Sequence, residues 1–241
     1  MEGCTSPEML RIGAVVLAGG QGKRMNSHVQ KQYMMLEGRP LISYALEAFE
    51  QSPVDKIVLV VGPGEEEHVR REILKPLGLK KVTAVVPGGK ERYHSVYEGL
   101  KALEGCGHVL IHDGARPLVT ADIIQRAIHG AIKEHACVVG MPVKDTIKIS
   151  DADGYAAGTP DRALLWQIQT PQAFSYQLVR SAYDQLMSDL SLQTGITDDA
   201  MVVETCGKGK VKLVEGSYEN LKVTTPEDLI LAEALLKKRR L

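Results

Sequence analysis

No excess of either charge marks the sequence: 29 lysines and arginines face 30 aspartates and glutamates over 241 residues, a net charge of −1. Nucleic acid and anionic membranes are held by a basic face, so neither is an expected partner, and any phosphate chemistry must be local. Paired cysteines are missing too. Cys4, Cys106, Cys137 and Cys206 are far apart, with no Cys-x-x-Cys and no histidines at zinc-ligand spacing. This pattern predicts reduced thiols and a cytoplasmic location. The longest uncharged apolar stretches, residues 12–20 and 57–64, are far shorter than the roughly 20 residues of a membrane span. The first ten residues carry Glu2 and Glu8 and no apolar run of signal-peptide length, so no export segment is expected. Internal repeats and low-complexity segments are also lacking.

What is present is a rhythm. Runs rich in valine and isoleucine recur at 12–18, 57–61, 82–86, 108–111 and 137–141, bounded by Gly, Pro or Asp, and read as buried strands. Between them apolar residues fall at helical spacing: Leu41, Tyr44, Ala45 and Ala48; Tyr93, Val96, Leu100 and Leu103; Ile123, Ile124, Ala127 and Ile128. The expected fold class is α/β, a Rossmann-like, mainly parallel sheet with helices on both faces, and the length leaves both a single domain over 1–241 and a domain with a small appendage open. Such sheets bind ligands beyond the carboxyl ends of their strands. Past residue 141 the rhythm changes. Residues 146–149 alternate polar and apolar, and 150–154 are turn chemistry, predicting a protruding β-hairpin arm at about 143–170. A two-stranded hairpin is marginal alone, so the arm must pack on something. A second copy of the chain is the simplest candidate, and a crossing within one subunit is the other. A final helix is signalled by Thr225 as N-cap, Pro226 at the first helical position and Asp228 three residues after the cap. Its basic end, Lys237 to Arg240, complements the helix dipole and implies no nucleic-acid role.

The first strand runs into Gly19, Gly20, Gln21, Gly22, Lys23, Arg24 and Met25, a turn whose bare backbone can approach polyphosphate. Two common nucleotide motifs fail here. Arg24 stands where a P-loop needs Ser or Thr, and Met25 where a dinucleotide fingerprint needs its third glycine. An extended loop bearing Lys23, Arg24 and, a few residues on, Lys31 suits a triphosphate held from several sides. On spacing alone, a solvated basic loop is an equal alternative.

At this point the sequence resembles the sugar-phosphate nucleotidyltransferases, and more closely the 2-C-methyl-D-erythritol 4-phosphate cytidylyltransferase family. The resemblance rests on blocks in order from about residue 12 to 235: Leu17-Ala18-Gly19-Gly20 through Arg24-Met25; Lys31-Gln32-Tyr33; Pro87-Gly88-Gly89 with Arg92 and Ser95; His112-Asp113-Gly114-Ala115-Arg116-Pro117; Pro142 through Lys148; Arg162 with Leu165-Trp166; Gln169-Thr170-Pro171-Gln172; Thr197-Asp198-Asp199-Ala200; and Asn220-Leu221-Lys222. Gly19 and Gly114 stand where the family often has alanine. The glycine form of the first loop also resembles ribitol-5-phosphate cytidylyltransferases, the alternative substrate reading. A non-catalytic nucleotide-binding module is the other alternative, against which the full set of charged site residues argues.

The resemblance implies attack of a phosphate monoester oxygen on the α-phosphorus of CTP, with release of pyrophosphate. The second pKa of a phosphate monoester is near 6, so the nucleophile is already largely dianionic and no general base is required. By matching positions, Arg24 and Lys31 would stabilise the transition state. Ala18, Gly19, Gly20, Gly22, Gly88, Gly89, Arg92, Ser95 and Asp113 would bind the nucleotide. Thr146, Arg162, Thr170 and Lys222 would hold the acceptor, with Arg162 and Lys222 also acting in catalysis. Asp113 would organise Mg²⁺, with a turn-stabilising role as the competing view. Ser95 reads equally as a group satisfying a helix N-terminus, and Arg116 reads either as an acceptor contact or a loop anchor. Asp198 and Asp199 are best taken as the first turn of a helix rather than a second metal carboxylate. If the arm crosses to a neighbour, each site of a homodimer borrows Arg162 from the other subunit.

Overall fold

A computed structural model describes residues 11–20, 30–207 and 209–239. Strand β1 (Ile12–Ala18) lies near the centre of the sheet because nearly every residue in it is apolar and both its faces are covered. A small hairpin, β2 (Met35–Leu36) and β3 (Arg39–Pro40), leads into α1 (Leu41–Glu50), and then β4 (Lys56–Val61) pairs parallel with β1. Helix α2 (Glu66–Val69) continues through a π-helical turn at Arg70–Leu74 into α3 (Lys75–Leu77), which ends on left-handed Gly78. Strand β5 (Val82–Pro87), α4 (Arg92–Lys101), β6 (His108–Asp113), α5 (Ala121–Glu134) and β7 (Ala136–Pro142) follow.

Beyond β7 stands the hairpin of β8 (Ile149–Ser150) and β9 (Ala156–Gly158). Its turn is built by Asp151, whose carboxylate accepts the N–H groups of Asp153 at 3.0 Å and Tyr155 at 2.8 Å. Ile149, Tyr155 and Leu164 are exposed along this arm, Tyr155 at 74% and Leu164 at 79%. The chain then returns as β10 (Trp166–Ser175), so residues from Trp166 onward belong to the sheet and the projecting part of the arm ends before residue 170. Helices α6 (Tyr176–Ser188) and α7 (Asp199–Thr205), edge strand β11 (Lys212–Glu215) and α8 (Pro226–Arg239) complete the chain. The seven-stranded sheet has the order β11-β7-β10-β6-β1-β4-β5, with only β10 antiparallel to its neighbours.

Alternation along the strands builds two cores. Ala14 and Val16 of β1 pack with Ile42, Leu46 and Phe49 of α1 and with Ile124 and Ile128 of α5. Val15, facing the other way, packs with Val96 and Leu100 of α4, Tyr183 of α6 and Val202 of α7. Helix α8 closes a third, smaller cluster on Leu36, Leu41 and Leu118. Its start has reciprocal caps: the Asp228 carboxylate accepts the Thr225 N–H at 2.9 Å, and Thr225 Oγ1 accepts the Asp228 N–H at 3.4 Å.

Candidate active site

Parallel pairing brings the carboxyl ends of β1, β4, β5 and β6 to one edge, and there they open onto a cleft of about 770 Å³. Gly19 and Gly20 follow β1 on its wall, Pro63 follows β4, Gly88 and Gly89 follow β5, and Asp113 ends β6. Gln32 and Lys222 enter from distant parts of the chain. Lys222 is delivered by a loop pinned to the end of β6, where the Val223 N–H donates to Ala115 O at 2.8 Å. Gln32 is anchored by donating to the carbonyl of Ala18. Its neighbour Tyr33 donates to Glu65 at 2.9 Å, and Glu65 also accepts the Gly62 N–H at 3.1 Å. The segment after the glycine loop is therefore tied to the ends of β1 and β4. Burial, and then Glu65 beside it, push the Tyr33 phenol well up, so it stays a donor.

Two glycines set the closeness of the walls. A Cβ at Gly89 would lie 2.4 Å from His94 Cβ, and one at Gly114 would lie 2.7 Å from Leu17 O, the carbonyl that accepts the Gly114 N–H at 2.8 Å. Ser95 accepts the Gly89 N–H at 3.1 Å and donates to Glu91 O at 3.3 Å. Its hydroxyl thus holds the glycine turn as well as lining the cleft.

Charge is concentrated at Asp113. Lys222 Nζ lies 2.7 Å from Oδ2, and Arg92 Nε donates to Oδ1 at 3.3 Å. Burial works against the Asp113 charge, but Arg92 and Lys222 outweigh it and hold its carboxyl far below the usual range. Arg92 is itself held from behind by Asp199, a bidentate pair at 2.8 and 2.7 Å with a fully buried carboxylate. Burial opposes the guanidinium charge, yet Asp199 and then Asp113 keep Arg92 firmly protonated. Tyr183 donates to Asp199 at 2.6 Å, its phenol raised by burial and by that carboxylate. Asp198 caps α7, accepting the Met201 N–H at 2.9 Å, so both aspartates take the structural places expected of a helix first turn.

Behind Asp113 lies a second, neutral layer. Thr170 Oγ1 accepts the Asp113 N–H at 3.1 Å and is 2.9 Å from His112 Nδ1, while His112 Nε2 is 3.3 Å from Arg116 O. Burial pushes the His112 imidazole down to about 4, leaving it neutral at physiological pH. Arg116 donates to Asn220 O at 2.7 Å, and Asn220 donates to Thr170 O at 2.9 Å. Arg116 therefore anchors the loop that carries Lys222.

Of the residues singled out by sequence, Gly19, Gly20, Gly88, Gly89, Arg92, Ser95, Asp113 and Lys222 meet at the cleft, while Ala18 is buried in the core and does not line it. Gly22 and Arg24, and the side chain of Lys31, lie outside the described residues. Thr146 and Arg162 are exposed on the arm and do not line this chain's cleft, with Arg162 donating to Lys144 O at 2.8 Å. Thr170 is buried behind Asp113 rather than lining the cleft. Sequence reasoning missed Lys90 and Glu91 on the wall, although a lysine directly after two strand-end glycines was a usable signal. It also missed Tyr183, for which spacing gave none.

Among the described residues no group of three or more His, Cys, Asp or Glu side chains could hold a metal ion by itself. A dedicated protein cage is not what Mg²⁺ requires, since it is bound through one or two carboxylates together with substrate phosphates. Asp113 fits that use. It is kept ionised on the cleft wall, and each oxygen has a lone pair beyond the one facing Lys222 or Arg92.

No described helix is long and apolar enough to cross a membrane. The model for the family described as 2-C-methyl-D-erythritol 4-phosphate cytidylyltransferase matches residues 12–238. A protein of that name from Lachnoclostridium phytofermentans is 50% identical over 232 residues, covering 96% of this chain and 99% of the relative. One from Lachnospira eligens is 51% identical over 225 residues, covering 93% and 98%. Among solved structures, the 4-diphosphocytidyl-2C-methyl-D-erythritol synthase of Anaerococcus prevotii superposes with a TM-score of 0.81 at 33% identity over 95% of this chain and 99% of that one. The cytidylyltransferase of Thermus thermophilus gives 0.75 at 29% identity over 95% and 100%. Matched over almost its whole length in sequence and in fold, this chain belongs to the 2-C-methyl-D-erythritol 4-phosphate cytidylyltransferase family.

Proposed function

We propose that the cleft joins CTP to 2-C-methyl-D-erythritol 4-phosphate, giving the CDP-linked polyol and pyrophosphate in the non-mevalonate route to isoprenoid precursors. The chain is a nucleotidyltransferase of that pathway. The observation that carries the reading is the meeting of Arg92 and Lys222 on Asp113, beside two glycine turns, at the carboxyl edge of the sheet.

An oxygen of the acceptor's phosphate attacks the α-phosphorus. As that P–O bond forms, the bond to the β-phosphate bridging oxygen breaks, and the electron pair leaves on pyrophosphate. The nucleophile needs no base, so the protein's task is to bring two anions together and absorb the growing charge. Gly19, Gly20, Gly88 and Gly89 give the triphosphate and nucleoside close access to backbone, and Ser95 holds the second turn. Arg24 and Lys31 act at the α-phosphate, and Lys222, oriented by Asp113, faces the acceptor. Asp113 would hold Mg²⁺, and the ion would supply positive charge to offset that of the phosphates.

The arm supports a homodimer. Thr146 and Arg162 lie on it and do not line their own cleft, and Ile149, Tyr155 and Leu164 leave apolar surface for a second copy to cover. In this reading residues 1–241 form one nucleotidyltransferase domain, and Thr146 and Arg162 complete the acceptor site of the other subunit. Three free, buried cysteines, Cys106, Cys137 and Cys206, support a cytoplasmic location. The test is pyrophosphate release from each of the four ribonucleoside triphosphates, with methylerythritol phosphate, ribitol phosphate and glucose 1-phosphate offered separately. Activity is expected only with CTP and methylerythritol phosphate. Turnover confined to ribitol phosphate would overturn the assignment.

A further inference from the structure

The partners of the hydrogen bonds behind Asp113 set their direction. Arg116 O can only accept, so the His112 nitrogen facing it at 3.3 Å, Nε2, carries the proton. Nδ1, on a completely buried ring whose two hydrogen-bond partners are a carbonyl and a hydroxyl, accepts from the Thr170 hydroxyl 2.9 Å away. With its one proton committed, Thr170 Oγ1 accepts at its other side, and the partner there is the Asp113 main-chain N–H at 3.1 Å. A chain of three hydrogen bonds thus runs from Arg116 O to the backbone of the residue that meets Lys222 and Arg92. Both intermediates are buried, His112 completely and Thr170 at 4% exposure. Phe49 packs against the imidazole with ring centroids 5.1 Å apart, which fixes the plane of the ring.

We propose that His112 is a positioning residue for cytidylyl transfer, acting through Thr170 to fix the main chain of Asp113 and hence the carboxylate on which Arg92 and Lys222 converge. The relay rests on the cytidylyltransferase reading of the cleft. It joins β6, β10 and the 116–117 turn, and through Asn220 it extends to the loop of Lys222. His112 touches no substrate. Its effect is on the placement of charge at the reacting phosphorus, so its loss lowers turnover more than substrate binding.

Two variants and one spectrum test this. His112→Leu, which removes both ring nitrogens, is expected to lower kcat by about 10–100-fold with the KM of CTP and of methylerythritol phosphate within about threefold. His112→Asn, whose amide oxygen can take the place of Nδ1, should recover most of that loss. Thr170→Val breaks the relay from its other end and should reproduce the His112→Leu pattern. In the wild-type enzyme, ¹⁵N NMR of the imidazole should show a proton on Nε2 and none on Nδ1. A folded His112→Leu enzyme with unchanged kcat, a proton on Nδ1, or a Thr170→Val enzyme that keeps kcat while losing tenfold or more in KM for methylerythritol phosphate would each overturn the relay. Should His112→Leu not fold, Thr170→Val and the spectrum still decide. A wild-type enzyme inert toward methylerythritol phosphate would contradict the functional reading instead, and the tautomer would then judge the relay by itself.

Discussion

At Gly114 the main chain has no room for a methyl group. The Cβ of an alanine would stand 2.2 Å from Ile42 Cδ1 and 2.7 Å from Leu17 O. Ile42 is a side chain that can rotate, but Leu17 O belongs to the central strand and accepts the Gly114 N–H at 2.8 Å, so it cannot give way without moving the cleft wall. Overpacking of this kind costs about 1–3 kcal/mol. Gly114→Ala should therefore lower the urea midpoint accordingly and raise the KM for CTP, as measured by equilibrium unfolding and steady-state kinetics. An unchanged midpoint would mean that the β1–β6 edge is softer than its packing indicates. Asp113 next to it was legible in the sequence as a strand-end carboxylate. That its charge is held by Arg92 and Lys222, 21 and 109 residues away in number, was not, because pairing across the fold leaves no periodic trace.

The elements differed in legibility for a physical reason. Strands β1, β4 and β6 are covered on both faces, so their apolar runs announce them, as does the N-cap signal of α8 at Thr225. Strand β10 carries Gln167, Gln169, Thr170 and Gln172, and a proline at 171. Apart from the exposed Gln167, those polar residues are paired inside the fold rather than solvated: Gln172 donates to Asp198 at 2.9 Å and accepts the Ala200 N–H at 2.8 Å, docking the start of α7. Read by hydropathy alone, such a strand looks like surface, and the arm expected from the sequence accordingly runs too far. Helix α7 in turn brings Asp199 to Arg92, whose two guanidinium amino groups both donate to that carboxylate. Removing one member of a buried pair strands the other, at a cost of roughly 3–5 kcal/mol. Asp199→Ala should lose that much stability in urea titrations. Adding Arg92→Met should recover part of it, since the stranded charge is gone. A double variant less stable than the single one would refute that explanation.

At the scale of the whole molecule the sheet supplies one edge for chemistry, and the arm leaves two acceptor-site candidates, Thr146 and Arg162, outside that edge in their own chain. The proposed symmetric dimer would resolve this, with each arm serving its neighbour. Mixing inactive Arg162→Ala with inactive Lys222→Met should, after subunit exchange, restore about a quarter of wild-type activity, as half the dimers are mixed and each contains one intact site. Activity that stays absent after exchange shown by mass spectrometry would place Arg162 in its own subunit's chemistry or in none.

The proposal that cations from remote parts of the chain act on one phosphorus is tested most directly by a single-turnover rate of cytidylyl transfer at saturating CTP and methylerythritol phosphate, set beside the calorimetric Kd for CTP. For Arg24→Ala and Lys222→Met the rate should fall by about a hundredfold or more, with Kd within about threefold of the wild-type value. Rates that hold while Kd rises by the same hundredfold would show that these groups merely bind nucleotide, and would contradict the account.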